Sequence, residues 1–78
     1  MKYAITATVH VSDLYKSLPK NIRPADAESQ IRSLIKSEFE RQGVRFMDKS
    51  GLFPVPPSHM RSEMVGAFPV ITIKQGIS

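Results

Sequence analysis

Apolar and polar residues alternate without interruption from Lys2 to Val11. One side of this stretch carries Tyr3, Ile5, Ala7, Val9 and Val11. The other side carries Ala4, Thr6, Thr8 and His10. Because successive side chains of a strand point to opposite faces, the pattern predicts a half-buried β-strand whose apolar face other elements must cover.

Apolar residues recur at helical spacing between Pro24 and Gly43. The stripe consists of Ala27, Ile31, Leu34, Ile35 and Phe39. Proline suits the first helical position, where its missing N–H would be unpaired anyway, and glycine is favoured just past a helix end. The pattern predicts one main helix that packs on the apolar face of the first strand.

Two shorter segments, Val44–Asp48 and Gly66–Lys74, are predicted to be the second and third strands. In the third strand, Phe68, Val70 and Thr72 face one way, and Ala67, Ile71 and Ile73 face the other. Pro69 cannot donate to a ladder, which favours an edge position for this strand and a central position for the first. A central third strand is the alternative. The last four residues, from Gln75, are expected to fray.

The two long connections differ in character. Residues 12–23 form a loop in which Leu14, Tyr15 and Leu18 are compatible with one helical turn. The segment Leu52–Met64 contains three prolines, which favour extended backbone. Ser58 is predicted to cap a single helical turn that runs through Met64.

These elements predict a small α+β domain in the order β-α-β-β, spanning residues 1–78 as a single domain. A three-stranded mixed or antiparallel sheet would carry one main helix on one face. The predicted core consists of Ile5, Ala7, Val9, Ile31, Leu34, Ile35, Phe39, Phe46 and Ile71.

Composition narrows the classes of function. The chain has no cysteine, which excludes a disulfide scaffold and thiolate metal sites and fits a reducing compartment. No apolar run approaches the roughly 18 residues of a membrane span, and the first ten residues lack a signal-peptide pattern. A cytoplasmic location is therefore expected. The net charge of +4 permits nucleic-acid binding without requiring it.

The sequence carries no recognisable catalytic motif. Its four glycines are scattered, so no phosphate-binding loop is formed, and no serine lies in a nucleophile-elbow context. His10 and His59 have no metal-ligand spacing. We therefore expect no enzyme activity, no metal and no cofactor. A small enzyme or metal protein would need His10, His59 and Glu38 to come together. Glu38 itself would either reach water or pair with Arg41 or Arg45.

The leading interpretation is a non-enzymatic protein-interaction module. A three-stranded sheet leaves edges that can accept a strand, and the proline-rich segment offers exposed apolar residues. The expected partner-binding residues are Phe53, Val55, Pro56, His59, Met60 and Arg61. Small cysteine-free chains of this kind fit, by size and style, regulators or inhibitors of larger bacterial or phage complexes.

The alternative function is binding of RNA or DNA. The basic residues that could contact phosphates are Lys16, Lys20, Arg23, Arg45 and Lys49. Tyr3 and Tyr15 could stack on bases.

A homodimer is also expected, because one helix covers only one side of three strands. Edge strands could pair, or the faces that carry Phe68 and Val70 could meet. The competing solution is a monomer in which the segment LFPVPPSHM folds over the open face of the sheet.

Overall fold

The computed structural model describes residues 4–47 and 51–76. Five elements follow one another along the chain: β1 (Ile5–His10), α1 (Val11–Lys16), α2 (Pro24–Arg41), β2 (Ser58–Val65) and β3 (Phe68–Gln75). The strands form one antiparallel sheet in the order β1-β3-β2. The predicted α+β class, with three strands and one main helix, is confirmed.

The third strand of the chain is central, so the expectation of a central first strand is wrong. Ala7 lies opposite Ile73 and Val9 lies opposite Ile71, whereas Pro69 would come opposite Val11. Val11 already belongs to α1. The side of Pro69 that lacks an N–H therefore faces a position where β1 has ended, and the proline removes no ladder hydrogen bond.

Helix α2 begins and ends as its sequence predicts. Pro24 occupies the first turn, and Gly43 follows the helix with a φ of 103°, a backbone conformation that residues other than glycine rarely adopt. Ile31, Ile35 and Phe39 are buried under the helix. Glu38 pairs with Arg41 and remains one-third exposed.

All nine predicted core residues belong to the core cluster or pack against it. Leu34, Phe46, Ile5 and Ile71 are only partly buried, because they lie at its margins. The cluster also contains four buried residues that the prediction omitted: Val11, Leu14, Val44 and Ile73. Val11 and Leu14 are buried because residues 11–16 form a short helix, which is longer than the single turn expected in this loop.

Two local predictions in the second half of the chain are wrong. Residues 44–47 make no strand of the sheet but form an isolated bridge between Phe46 and Pro54, and Asp48 lies outside the described residues. The segment from Ser58 to Met64 is not a helical turn but the greater part of β2. The second strand thus begins 14 residues later than predicted, at Ser58 rather than Val44 and beyond the prolines.

The molecule is elongated. Its principal extents are 44 × 27 × 16 Å and its Cα radius of gyration is 13.2 Å, compared with about 11.5 Å for a compact chain of this length. Among the described residues, no helix combines the length and apolar character needed to cross a membrane.

Candidate interaction surface

The β2–β3 hairpin is closed by a two-residue turn. Val65 lies opposite Phe68, with Gly66 and Ala67 between them. Gly66 has a φ of 70°, and no described non-glycine residue has a positive φ. A glycine with positive φ at the first central position is typical of a type II′ turn, whose twist matches that of the two strands. The turn therefore sets the register of β2 against β3.

Gln75 anchors the other end of the hairpin and is 2% exposed. Its Oε1 accepts the N–H of Arg45 at 2.8 Å, and its Nε2 donates to the Arg45 carbonyl oxygen at 2.8 Å. The same Nε2 also lies 3.1 Å from the Val55 carbonyl oxygen and 3.1 Å from Ser58 Oγ. One buried amide thus ties the segments on both sides of the proline-rich stretch to β3. Gln75 is an ordered strand residue, so its predicted fraying is wrong.

The outer edge of β2 has no strand beside it among the described residues. The two residues that flank a two-residue hairpin turn, here Val65 and Phe68, exchange backbone hydrogen bonds. Counting back from Val65, every second residue of β2 then bonds to β3. The intervening residues Met60, Ser62 and Met64 direct their N–H and C=O groups away from the sheet. None of these six groups has a hydrogen-bond partner in the described part of the chain.

The side chains of the same residues lie on the helix side of the sheet, yet the helices do not cover them. Met60 is 45% exposed and Met64 is 64% exposed. Ile73, which lies opposite Met60 on β3, is completely buried. Helix α2 packs on β1 and helix α1 packs on β3, whereas neither helix makes comparable contact with β2. A backbone edge that no described residue pairs and two exposed thioethers therefore occupy the same strand.

The opposite, open face of the hairpin is polar. His59, Arg61 and Glu63 of β2 lie beside Lys74, Thr72 and Val70 of β3. These six side chains line a groove of about 180 Å³. The charged side chains of Arg61 and Glu63 thus lie along the outer strand, on the face opposite the described helices.

The other edge of the sheet is partly closed by a side chain. Gln42, just after α2, accepts the N–H of Thr8 through Oε1 at 3.2 Å and donates from Nε2 to the Thr8 carbonyl oxygen at 3.0 Å. The amide thereby takes the place that a neighbouring strand would occupy beside β1. The two edges differ because such a cover is absent from β2 within the described residues.

The predicted partner-binding residues fall into two groups. His59, Met60 and Arg61 lie on the exposed strand β2. Phe53, Val55 and Pro56 precede it, and of these Phe53 is 64% exposed. Val55 is half-buried, and its N–H bonds to the Arg45 carbonyl oxygen at 2.9 Å. Val55 therefore has a structural contact that the sequence did not indicate.

The proline-rich segment folds back, but not where the monomer alternative required. Leu52 packs against the helix-side core, and Pro54 bridges to Phe46. On the open face, Thr6, Thr8, His10 and Lys74 remain exposed. Phe68 contacts Tyr15, with ring centroids 4.9 Å apart.

The basic residues of the nucleic-acid alternative do not form one surface. Lys16, Lys20 and Arg23 precede α2, whereas Arg45 follows it. The helix has 18 residues, and at 1.5 Å per residue its length of about 27 Å separates Arg23, just before its first residue, from the end that precedes Arg45. Arg23 pairs with Asp26, and Lys49 and Tyr3 lie outside the described residues.

The two histidines lie far apart on the open face. His10 is opposite Val70 on one flank of β3, and His59 is opposite Lys74 on the other flank. Standard strand spacing and rise place their Cα atoms about 16 Å apart. Glu38 lines a groove together with His10, on the β1 side of the sheet. No group of three potential metal ligands occurs among the described residues.

The sequence prediction missed Ser62, Glu63 and Met64 as surface residues of a strand. Met60 and Met64 are four residues apart, and a serine precedes them, which is also the pattern of a capped helical turn. The signal that favours a strand is the glycine two residues after Met64, at hairpin-turn distance from the apolar third strand.

No family model matches the chain, and neither a curated protein nor a solved structure shows significant similarity to it.

Proposed function

We propose that this chain is a non-enzymatic protein-interaction module that binds by strand addition at the outer edge of β2. The observation that carries the proposal is the set of N–H and C=O groups of Met60, Ser62 and Met64 that have no partner among the described residues. Main-chain hydrogen bonds supply affinity in strand addition, and the side chains on either face supply specificity. Here those side chains are the two methionines on one face and Arg61 and Glu63 on the other.

The exposure of this edge favours a binding role. Sheet edges are usually protected by a covering element, by proline or by inward-pointing charges, because an open edge pairs with other chains. Gln42 supplies such protection at β1. Edge β2 extends over eight residues and has exposed apolar side chains instead. Its charged side chains lie on the open face of the sheet and leave the backbone N–H and C=O groups of the edge accessible.

Ser62→Pro tests the proposal with Ser62→Ala as its matched control. Proline removes the outward N–H of residue 62, and proline is compatible with an edge strand whose N–H faces solvent. Tagged chain is used to capture protein from a lysate of its source cells at low and moderate salt. We expect recovery of a bound chain with the parent and with Ser62→Ala, and at least a tenfold loss with Ser62→Pro.

Circular dichroism of both variants verifies that they are folded. Equal recovery by Ser62→Pro and by the parent would contradict a role for this edge. Failure of the parent both to recover a bound chain and to self-associate would contradict the interaction module itself. We assign the module to the cytoplasm, where a chain without cysteine loses nothing in a reducing environment.

Nucleic-acid binding is the second candidate, and one feature of the open face favours it. Arg61, Lys74 and His59 lie around the groove of the hairpin, with Glu63 as the single acid in its lining. Threonine side chains adjoin them at Thr8 and Thr72, whose hydroxyl oxygens are 3.4 Å apart. This surface differs from the basic set expected from the sequence and would contact phosphates through Arg61 and Lys74.

A further inference from the structure

We propose that the occupant of the β2 edge is a second copy of this chain, paired antiparallel about a two-fold axis at Ser62. The proposal rests on the proposed function, because it names the partner of the same edge. It joins the two sheets into one continuous sheet of six strands.

The backbone of β2 is compatible with this symmetry. Met60, Ser62 and Met64 all present outward N–H and C=O groups. With the axis at Ser62, this residue faces its own copy, and Met60 faces Met64 of the partner subunit. In each of these pairs, the free N–H and C=O groups of the two residues point toward each other. The two strands can therefore exchange hydrogen bonds through these groups.

The charges on the open face select this register. Arg61 comes opposite the partner's Glu63, and Glu63 comes opposite the partner's Arg61. These are non-hydrogen-bonded pairs, in which the Cα atoms are about 4.5 Å apart and the side chains are closest. Centring the axis on residue 61 would oppose two arginines, and centring it on residue 63 would oppose two glutamates. Like charges directly opposite destabilise a sheet, whereas opposite charges stabilise it.

On the helix side of the sheet, burial of methionine side chains would favour association. Met60 and Met64 are exposed because the helices stop over β3. In the proposed register, each Met60 lies beside Met64 of the partner subunit. Four thioethers then form one strip between the two helical layers, so each copy removes apolar surface of the other from water.

The interface is small, since it involves about seven residues of each strand, from His59 to Val65. Interfaces of this size form weak or transient complexes. We therefore expect a dissociation constant in the micromolar range rather than an obligate dimer.

Charge reversal at the two positions tests the register. In sedimentation equilibrium, the purified chain is expected to approach twice its 8.7 kDa mass as its concentration rises through the micromolar range. Arg61→Glu alone or Glu63→Arg alone replaces both attractive pairs with like charges. Each is expected to raise the dissociation constant roughly tenfold. The double variant R61E/E63R exchanges the signs and is expected to restore the parent value.

A cysteine at the axis provides an independent measurement. The chain has no cysteine, so any disulfide formed by Ser62→Cys joins two copies. The Cα atoms of a hydrogen-bonded pair are about 5.5 Å apart, within the range that a disulfide spans. Under mild oxidation, Ser62→Cys is expected to cross-link much faster than Ser33→Cys, an exposed control position on α2.

The outcomes separate this inference from the proposed function. A parent chain that remains monomeric overturns the second copy as partner, while capture that depends on Ser62 would still support the interaction module. A dimer in which the double variant is no tighter than the single variants, or in which Ser33→Cys cross-links as fast, overturns the register. Loss of both self-association and capture overturns both proposals.

Discussion

Two glutamine side chains make the same pair of backbone hydrogen bonds, one in the protein interior and one at the surface. Gln75 and Gln42 each accept one backbone N–H and donate to the carbonyl oxygen of the same residue. Gln75 is buried, whereas Gln42 is exposed. Water can replace the exposed amide, but it cannot reach the polar groups around the buried one without a rearrangement.

We expect Gln75→Ala to lower the free energy of unfolding by about 2–3 kcal/mol, because unsatisfied buried polar groups cost about 1–3 kcal/mol each. Gln42→Ala is expected to cost less than about 1 kcal/mol, since its partners can bond to water. Urea denaturation followed by circular dichroism measures both values. The substitution is the same at the two positions, so equal losses would show that burial does not determine the contribution of these amides.

At the scale of elements, the central strand is the one that carries proline. Strand β3 pairs with β1 on one side and with β2 on the other, so its backbone is bonded on both edges. In the described part of the chain, β1 has one strand neighbour, and the Gln42 side chain bonds to Thr8 on its outer edge.

Native-state hydrogen exchange is therefore expected to be slowest in Val70–Ile73 rather than in Ile5–Val9. Amides of doubly paired, buried strands open only in the largest unfolding events, while edge strands open locally. The outward amides of Met60, Ser62 and Met64 are expected to exchange faster than the outward amide of Thr8, which donates to Gln42, at concentrations where the chain is monomeric. Slower exchange in β1 than in β3 would contradict the strand order.

Across the whole molecule, the net charge of +4 is distributed rather than concentrated. Basic residues lie before α2, after it and on the open face of the hairpin. The basic patches that bind nucleic acids strongly present many phosphate contacts on one surface, and the salt dependence of binding reports their number.

Titration against single- and double-stranded DNA and RNA is expected to show only weak binding. We expect a dissociation constant no tighter than roughly 10 µM at physiological salt, within the range of non-specific binding. Arg32→Ala, at an exposed position of α2, serves as a control remote from the hairpin. Tighter binding that survives moderate salt and falls with Arg61→Ala or Lys74→Ala, but not with Arg32→Ala, would favour the nucleic-acid function instead.

The sequence by itself determined the elements whose signals are local. Alternation identified the face of β1, and helical spacing together with Pro24 and Gly43 located α2 to within two residues at its end. These features depend on side chains a few positions apart and on backbone preferences of single residues. They were sufficient for the α+β class and for the core residues of β1 and α2, whereas Phe46 was placed in the core as part of a strand that does not form.

Tertiary structure alone decided the strand order, the location of β2 and the open edge. Strand pairing joins residues distant in sequence, so Pro69 looked like an edge residue until the end of β1 was known. Residues 58–65 carry both a helical and an alternating pattern, and pairing with β3 selected the strand. Whether a strand edge is free depends on where all the other elements pack, and a local sequence pattern carries no information about that. The partner-binding residues His59, Met60 and Arg61 could therefore be named in advance, but the edge they share with Ser62 and Met64 could not.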